Sequence, residues 1–187
     1  MLRSRSALLS AAVRLVSERG TTAVPVTDVA DQANVSRQLV YLQFGDLDSL
    51  LVAAAVDLVS RDLIPHTEGI ADTGVQVLTM ARHFAGHRPF YRAMLTGSCA
   101  FAMTRTLNDL FGSLNAAAVR DLLADQDEET VQDLGAFVAG GTGAIVNDWL
   151  IDGADPLDPE ELAERLLRLR SVFVGSHHIR LDGGRHQ

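Results

Sequence analysis

Arg37, Gln38, Tyr41 and Gln43 fall within seven residues of the stretch NVSRQLVYLQF, residues 34–44. Their side chains suit the edges of DNA bases. Arginine takes guanine bidentately through O6 and N7, and glutamine takes adenine in the same way. To do so they must project together from one short helix that fits a major groove. Leu42 is the apolar neighbour on the same outward side. Ser36 stands just before the run as a helix N-cap, and Thr27 stands before an earlier run, VADQA, as another. Hydroxyls and free amides at two helix N-termini are groups that hold phosphates. Each reading has a plainer one beside it: Arg37 and Gln38 as solvated surface, Tyr41 as packing. Arg3 and Arg5 either reach phosphate or the minor groove as a flexible arm or keep the terminus soluble.

Other chemistry is sparser. His83 and His87 are four apart, a spacing that can clamp a metal on one helix face. Gly86 and Pro89 end the helix there, however, and no cysteine or carboxylate sits nearby in sequence, so no metal is expected. Cys99 is either a redox sensor, which needs exposure and a lowered pKa, or a small buried residue, the preferred reading. No Gly-x-Ser-x-Gly or other nucleophile motif is present, and neither enzyme activity nor a cofactor is expected. The GGTG run at 140–143 follows no strand and precedes no Gly-Lys-Ser/Thr, which speaks against a phosphate loop. Glycine inside a helix costs roughly 1 kcal/mol relative to alanine, so close approach of another helix is the better reason for it.

A third set is apolar. Met80, Phe84, Phe90, Tyr91, Met94, Phe101, Met103, Leu107 and Phe111 suit an apolar ligand, since flexible methionines adapt to shape. Each of them taken singly also serves as plain core. His83, Arg88 and Asn147 are candidates for the few polar groups that would orient a ligand.

Something must position these residues. The chain has 187 residues, 47% of them hydrophobic and 21% charged, enough to bury a core as one domain or two small ones. Aromatics are 5% and prolines number five, which favours helices over a sandwich or barrel. The net charge is −8, yet unevenly spread. Residues 1–45 carry five arginines against three acids, and the remainder eleven against 21. A slightly basic N-terminal unit on an acidic body fits a nucleic-acid reader joined to something else. No run of 18 apolar residues occurs, so no membrane span is expected. Arg14, Glu18 and Arg19 interrupt the apolar N-terminus and argue against a signal peptide. With a single cysteine, a reducing cytoplasmic location is expected.

Helical periodicity runs throughout. A first helix is predicted from about Ser4 to Arg19, stopped by Gly20. Two short helices follow, one capped by Thr27 and one by Ser36, broken by Asn34 between them and by Gly45-Asp46 after. Leu47 to about Leu63 forms a long amphipathic helix, and Pro65 to Gly74 a loop. Further helices are predicted near 75–85, from Pro89, over 101–123, from the DQDEET stretch to about Leu150, and from Pro159 onward behind Asp158.

Ala30 sits where the two short helices approach most closely, Asn34 occupies their turn, and Val35 and Val40 point inward. This is helix-turn-helix spacing. The stretch VTDVADQANVSRQLVYLQFGDLDSLLVA resembles the DNA-binding unit of tetracycline-repressor-type (TetR) regulators, over about residues 4–62. Val35, Ser36, Tyr41, Phe44 and Leu50 fit the family pattern; Leu42, Gln43 and Leu47 depart from it, Leu47 standing where the family often has a phosphate-contacting lysine.

The resemblance implies an all-α fold. Residues 1–45 would be a three-helix DNA-binding unit and 46–187 a ligand-binding and dimerisation domain, with 46–63 a connecting helix and 176–187 a loose tail. It places the DNA contacts at Thr27, Ser36, Arg37, Gln38, Tyr41, Leu42 and Gln43. It puts the helix GAFVAGGTGAIVNDWL and the last helix into a four-helix dimer bundle through Leu134, Val138, Gly141, Ile145, Trp149, Leu162, Leu166 and Leu169. The implied function is a homodimeric transcriptional regulator, a repressor released from a palindromic double-stranded operator by a small apolar or amphipathic effector. The competing readings are a helical interaction protein with weakened DNA binding, which Leu42 and Leu47 favour, and a small helical enzyme using the pocket.

Overall fold

The computed structural model describes residues 2–109, 112 and 127–176. Their order is α1 (Leu2–Arg19), α2 (Val26–Gln32), α3 (Arg37–Phe44), α4 (Leu47–Asp62), a 3₁₀ turn (Ile64–His66), α5 (Thr73–Gly86), α6 (Arg88–Thr96), α7 (residues 100–109), α8 (Glu128–Asp152) and α9 (Pro159–Ser176). No strand occurs among the described residues.

Local chemistry sets most boundaries. Gly20 closes α1 with φ 63°, in the left-handed region that glycine enters without penalty. Asp46, Asp72 and Asp127 each cap a helix by accepting backbone amide protons, from Ser49, from Gly74 and Val75, and from Thr130. Asp158 accepts from the Glu160 and Glu161 amides at 3.0 Å and starts α9. Two expectations change. Thr27 is not a cap: α2 begins at Val26 behind Pro25, whose fixed φ of −63° suits the N-cap position, so Thr27 lies inside the first turn. α1 reaches back to Leu2, which places Arg3 and Arg5 on a helix rather than on a flexible arm.

One continuous core joins the chain. Leu8, Leu9, Ala12, Leu15 and Val16 of α1 and Leu50, Leu51, Ala54, Leu58 and Val59 of α4 are buried, and the two helices pack together. Each such leucine or valine contributes about 1.5–3 kcal/mol when fully buried. α1 also packs on α2 and α6, and α4 on α3. α6 is the central element: Phe90, Tyr91 and Met94 are fully buried. It packs against α1, α5 and α8, while α9 lies along α5. α8 is the exception. It has 25 residues and, among the described helices, alone has the length and apolarity of a membrane span, yet only 11% of its most apolar window is buried in the chain.

Candidate nucleic-acid interface

The turn between α2 and α3 has the form its residues allow. Asn34 adopts φ 54°, a left-handed conformation that asparagine tolerates better than most residues. The Val35 amide donates to the Ala30 carbonyl at 3.0 Å, and Ala30 itself is buried at the close approach. Ser36 Oγ accepts from the Leu39 amide at 3.4 Å and starts α3. Val40 is fully buried and fixes the rotation of α3 about its axis. Arg37, Gln38, Tyr41 and Leu42 are therefore exposed together, Tyr41 at 51% and Leu42 at 79%.

Gln43 departs from the expectation. It lies three residues beyond Val40, one helical turn along, and so returns toward the packed side. It is half-buried, and its Oε1 is buried with no hydrogen-bond partner. Thr27 is exposed, with Oγ1 donating to Asp28 Oδ1 at 3.4 Å. Asp28 in turn holds Arg19 at 2.6 Å, which neutralises that arginine beside the α2 N-terminus. Arg5 lies over the Phe44 ring, 4.5 Å from its centroid, and so braces the end of α3 from α1. Leu47 is half-buried against the core next to Asp46, whose carboxyl the Ser49 amide holds below the usual carboxylate range. The start of α4 thus presents negative charge where the family pattern often has a lysine.

The ligand set divides. Phe84, Phe90, Tyr91, Met94, Met103 and Leu107 are buried in the common core, and Met80 is half-buried against it. His83 Nε2 sits 2.9 Å from the Tyr91 hydroxyl, with the His87 ring 5.0 Å away. Burial pushes His83 down to about 4 and lowers His87 as well. Asn147 Nδ2 donates to Thr104 Oγ1 at 3.5 Å. Phe101 does not join the set. It is 81% exposed, because Met103 and Leu107, four apart on α7, define the inward face and residue 101 lies off it. Phe111 lies outside the described residues. Arg88 is engaged elsewhere, at the end of α8.

The dimer set divides too. Val138 and Leu169 are exposed, Gly141 is exposed, and Leu134, Ile145 and Trp149 are half-buried. Leu162 and Leu166 do not face outward: at 2% and 8% exposure they lie in the core of the single chain, where α9 packs on α5. Phe137, Ala144 and Val172, outside that set, are also exposed on the same two helices. Phe137, Gly141 and Ala144 recur at helical spacing, as do Leu169 and Val172.

With this geometry in place, likeness to known proteins has a definite meaning. A family model described as "Bacterial regulatory proteins, tetR family" matches residues 8–54, the stretch that holds α2, α3 and most of α1. No curated protein sequence matches the chain. Solved structures match over nearly the full length. The dihydroxyacetone kinase operon activator DhaS aligns with a TM-score of 0.65 at 16% identity, covering 94% of this chain and 98% of its own. A TetR-like transcriptional regulator from Rhodococcus sp. RHA1 gives 0.55 at 19%, covering 92% and 96%. The TetR family repressor AlkX from Dietzia sp. strain DQ12-45-1b, implicated in biodegradation of n-alkanes, gives 0.57 at 19%, covering 92% and 95%. At these identities the structural likeness speaks for the fold, and the sequence match to the helix-turn-helix unit speaks for the activity. Residues 8–54 thus carry the DNA-binding unit of the tetR family of bacterial regulatory proteins, and the chain is a DNA-binding transcriptional regulator.

Proposed function

We propose that the protein is a homodimeric repressor that occupies a palindromic operator and leaves it when a small apolar or amphipathic ligand binds. The observation that carries the DNA side is the outward row Arg37, Gln38, Tyr41 and Leu42 on a helix held by a left-handed turn. Arg37 and Gln38 supply base-edge hydrogen bonds, and exposed Leu42 offers an apolar surface to thymine methyl groups. Ser36 and Thr27 lie at the helix starts nearest the phosphates. Residues 1–45 read DNA; residues 46–187 pair and take the ligand.

Pairing is supported by the exposed apolar side of α8, with Val138, Gly141 and Ala144, beside Leu169 and Val172 of α9. Two copies would bring two recognition helices to major grooves about 34 Å apart. Half-buried Met80, His83 and Asn147 border the aromatic core and are the residues a ligand would reach first. A neutral His83, hydrogen-bonded to Tyr91, suits an uncharged or weakly polar ligand. A ligand that favours the conformer with the wrong recognition-helix spacing shifts the population off DNA. Regulators of both signs share the fold, since DhaS is described as an activator and AlkX as a repressor.

The test is selection of bound sequences from a random duplex pool, then titration of the selected site. Arg37→Ala and Gln38→Ala should each relax base preference and cost about 1–3 kcal/mol on the selected site. Thr27→Ala should weaken binding to all sequences alike, because phosphate contacts carry no base information. Three variants that bind like the parent would show that another surface reads DNA.

A second reading, a helical interaction protein with weakened DNA binding, is favoured by Leu42 at 79% exposure and by Leu47 beside Asp46 and Asp48. Salt dependence separates the two. The regulator reading expects a measurable but shallow slope, because each neutralised phosphate adds about 0.9 to the slope of log affinity against log salt. Leu47→Lys should steepen it by up to about two units per dimer, on selected and scrambled duplex together. An unchanged slope on both would mean that the start of α4 does not meet the phosphate backbone.

A further inference from the structure

Five arginines lie in the first 45 residues, and two of them are engaged within the chain. Arg19 pairs with Asp28 at 2.6 Å, and Arg14 Nε lies 2.8 Å from the side-chain amide of Gln32. Arg3, Arg5 and Arg37 are exposed and, among the described residues, in no ion pair. Arg37 belongs to the reading face of α3. Arg3 and Arg5 stand two apart on α1, about 200° around its axis, and so face different surfaces. Arg5 is held in place: its guanidinium lies over the Phe44 ring, 4.5 Å from the centroid.

That contact uses the face of the guanidinium and leaves its in-plane N–H donors free. An arginine ordered before DNA arrives loses less rotamer freedom on binding, and its fork matches a phosphate bidentately. Its place beside α3 is what matters. At about 100° per residue, Phe44 lies about 20° from Arg37 and about 60° from Tyr41 around the helix axis, and about 40° from buried Val40 on the other side. Arg5 therefore stands at the border of the reading face rather than on it. From Arg37 to Phe44 the helix rises about 10 Å at about 1.5 Å per residue, close to the major groove's width of about 12 Å. With Arg37 over base edges, the Phe44 end reaches the groove wall, where the phosphates are. The start of α4 supplies no cation there, because Asp46, Leu47 and Asp48 occupy it.

We propose that Arg5 is a phosphate anchor: stacked on the last residue of α3, it grips the DNA backbone at the edge of the major groove and supplies the cation that the start of α4 lacks. This rests on the reading of α3 as the recognition helix and adds to its base contacts. Phe44 sets where the cation stands. The guanidinium meets phosphate and no base edge, so it adds affinity without sequence preference.

The experiment titrates the intact chain, at several salt concentrations, against a duplex it has selected from a random pool and against a scrambled duplex. Arg5→Met keeps an apolar side chain over Phe44 and removes the charge. It should make the slope of log affinity against log salt shallower by up to about two units per dimer, about 0.9 for each phosphate released, on both duplexes. The loss of affinity between about 50 and about 200 mM salt should then be smaller by up to about tenfold. Base preference should stay within about twofold of the parent. Arg5→Lys keeps the charge and should retain most of the slope. An unchanged slope in Arg5→Met on both duplexes, or an Arg5→Lys slope as shallow as that of Arg5→Met, overturns the anchor. So does a loss of affinity for the selected duplex alone, the mark of an arginine that only braces α3. A loss confined to particular bases flanking the site would place Arg5 in the minor groove and overturn it too. Should Arg5→Met lose its helical circular dichroism, Arg5→Gln decides by the same criteria. Arg37→Ala, measured in parallel, keeps the two readings apart: relaxed base preference there, with an unchanged slope in Arg5→Met, removes the anchor and leaves α3 as the recognition helix.

Discussion

Val138→Glu should leave a folded monomer that no longer holds a two-half-site operator. Val138 is 42% exposed on α8, on the side shared with exposed Gly141 and Ala144 and outside the core of the single chain. In a symmetric dimer the substitution enters twice, once from each copy, and places two carboxylates in an apolar interface. An uncompensated buried charge costs about 3–5 kcal/mol, so dissociation is the cheaper outcome. Light scattering should report half the parental mass, and the helical circular dichroism and melting transition should persist. Operator affinity should fall by about 100-fold or more, because the second half-site is no longer delivered by the same complex. A variant of unchanged mass and affinity would place the pairing surface elsewhere.

Leu166→Glu should do the opposite and destabilise the fold of the single chain rather than divide the dimer. Leu166 is 8% exposed in the core where α9 lies along α5, close to fully buried Leu162. A carboxylate there would be buried without a partner at about 3–5 kcal/mol, a large part of the 5–15 kcal/mol that typically separates folded from unfolded chains. For a chain of this length each kcal/mol moves the melting point by about 2–4 °C, so a drop of about 6–20 °C is expected. Calorimetry or a melt followed by circular dichroism reads it directly. A Leu166→Glu protein that melts as the parent does would show that α9 turns its apolar stripe outward after all. The contrast between these two substitutions is the sharpest check on the structure, because the family resemblance alone puts both residues on one interface.

What the sequence determined by itself is local. The helix-turn-helix was legible because its signals are short-range: a left-handed asparagine at 34, a serine cap at 36, a break at Gly45-Asp46 and a glycine stop at 20. Each acts within four residues of itself, so no distant contact is needed to read it. The outward side of α3 followed from Val40 alone, since one buried residue fixes the rotation of a short helix. Gln43 leaves that side because it lies one helical turn beyond Val40 and returns toward the core. Thr27 is not the cap because the extended backbone at Pro25 starts α2 at Val26, two residues before the turn Thr27 would open. Tertiary structure decided the rest. On α9, Leu162, Leu166 and Leu169 form one apolar stripe in sequence, and only the packing of α5 assigns the first two to the core and leaves the third exposed. On α7, the spacing of Met103 and Leu107 puts those two on one side, and the neighbouring helices bury that side and leave Phe101 exposed. Arg88 reads as a solvated or ligand-orienting cation until the end of α8, more than sixty residues away, is brought against it. An amphipathic pattern states that a helix has an apolar side, but which neighbour covers each part of that side depends on contacts between segments far apart in the chain, and those exist only once the chain is folded.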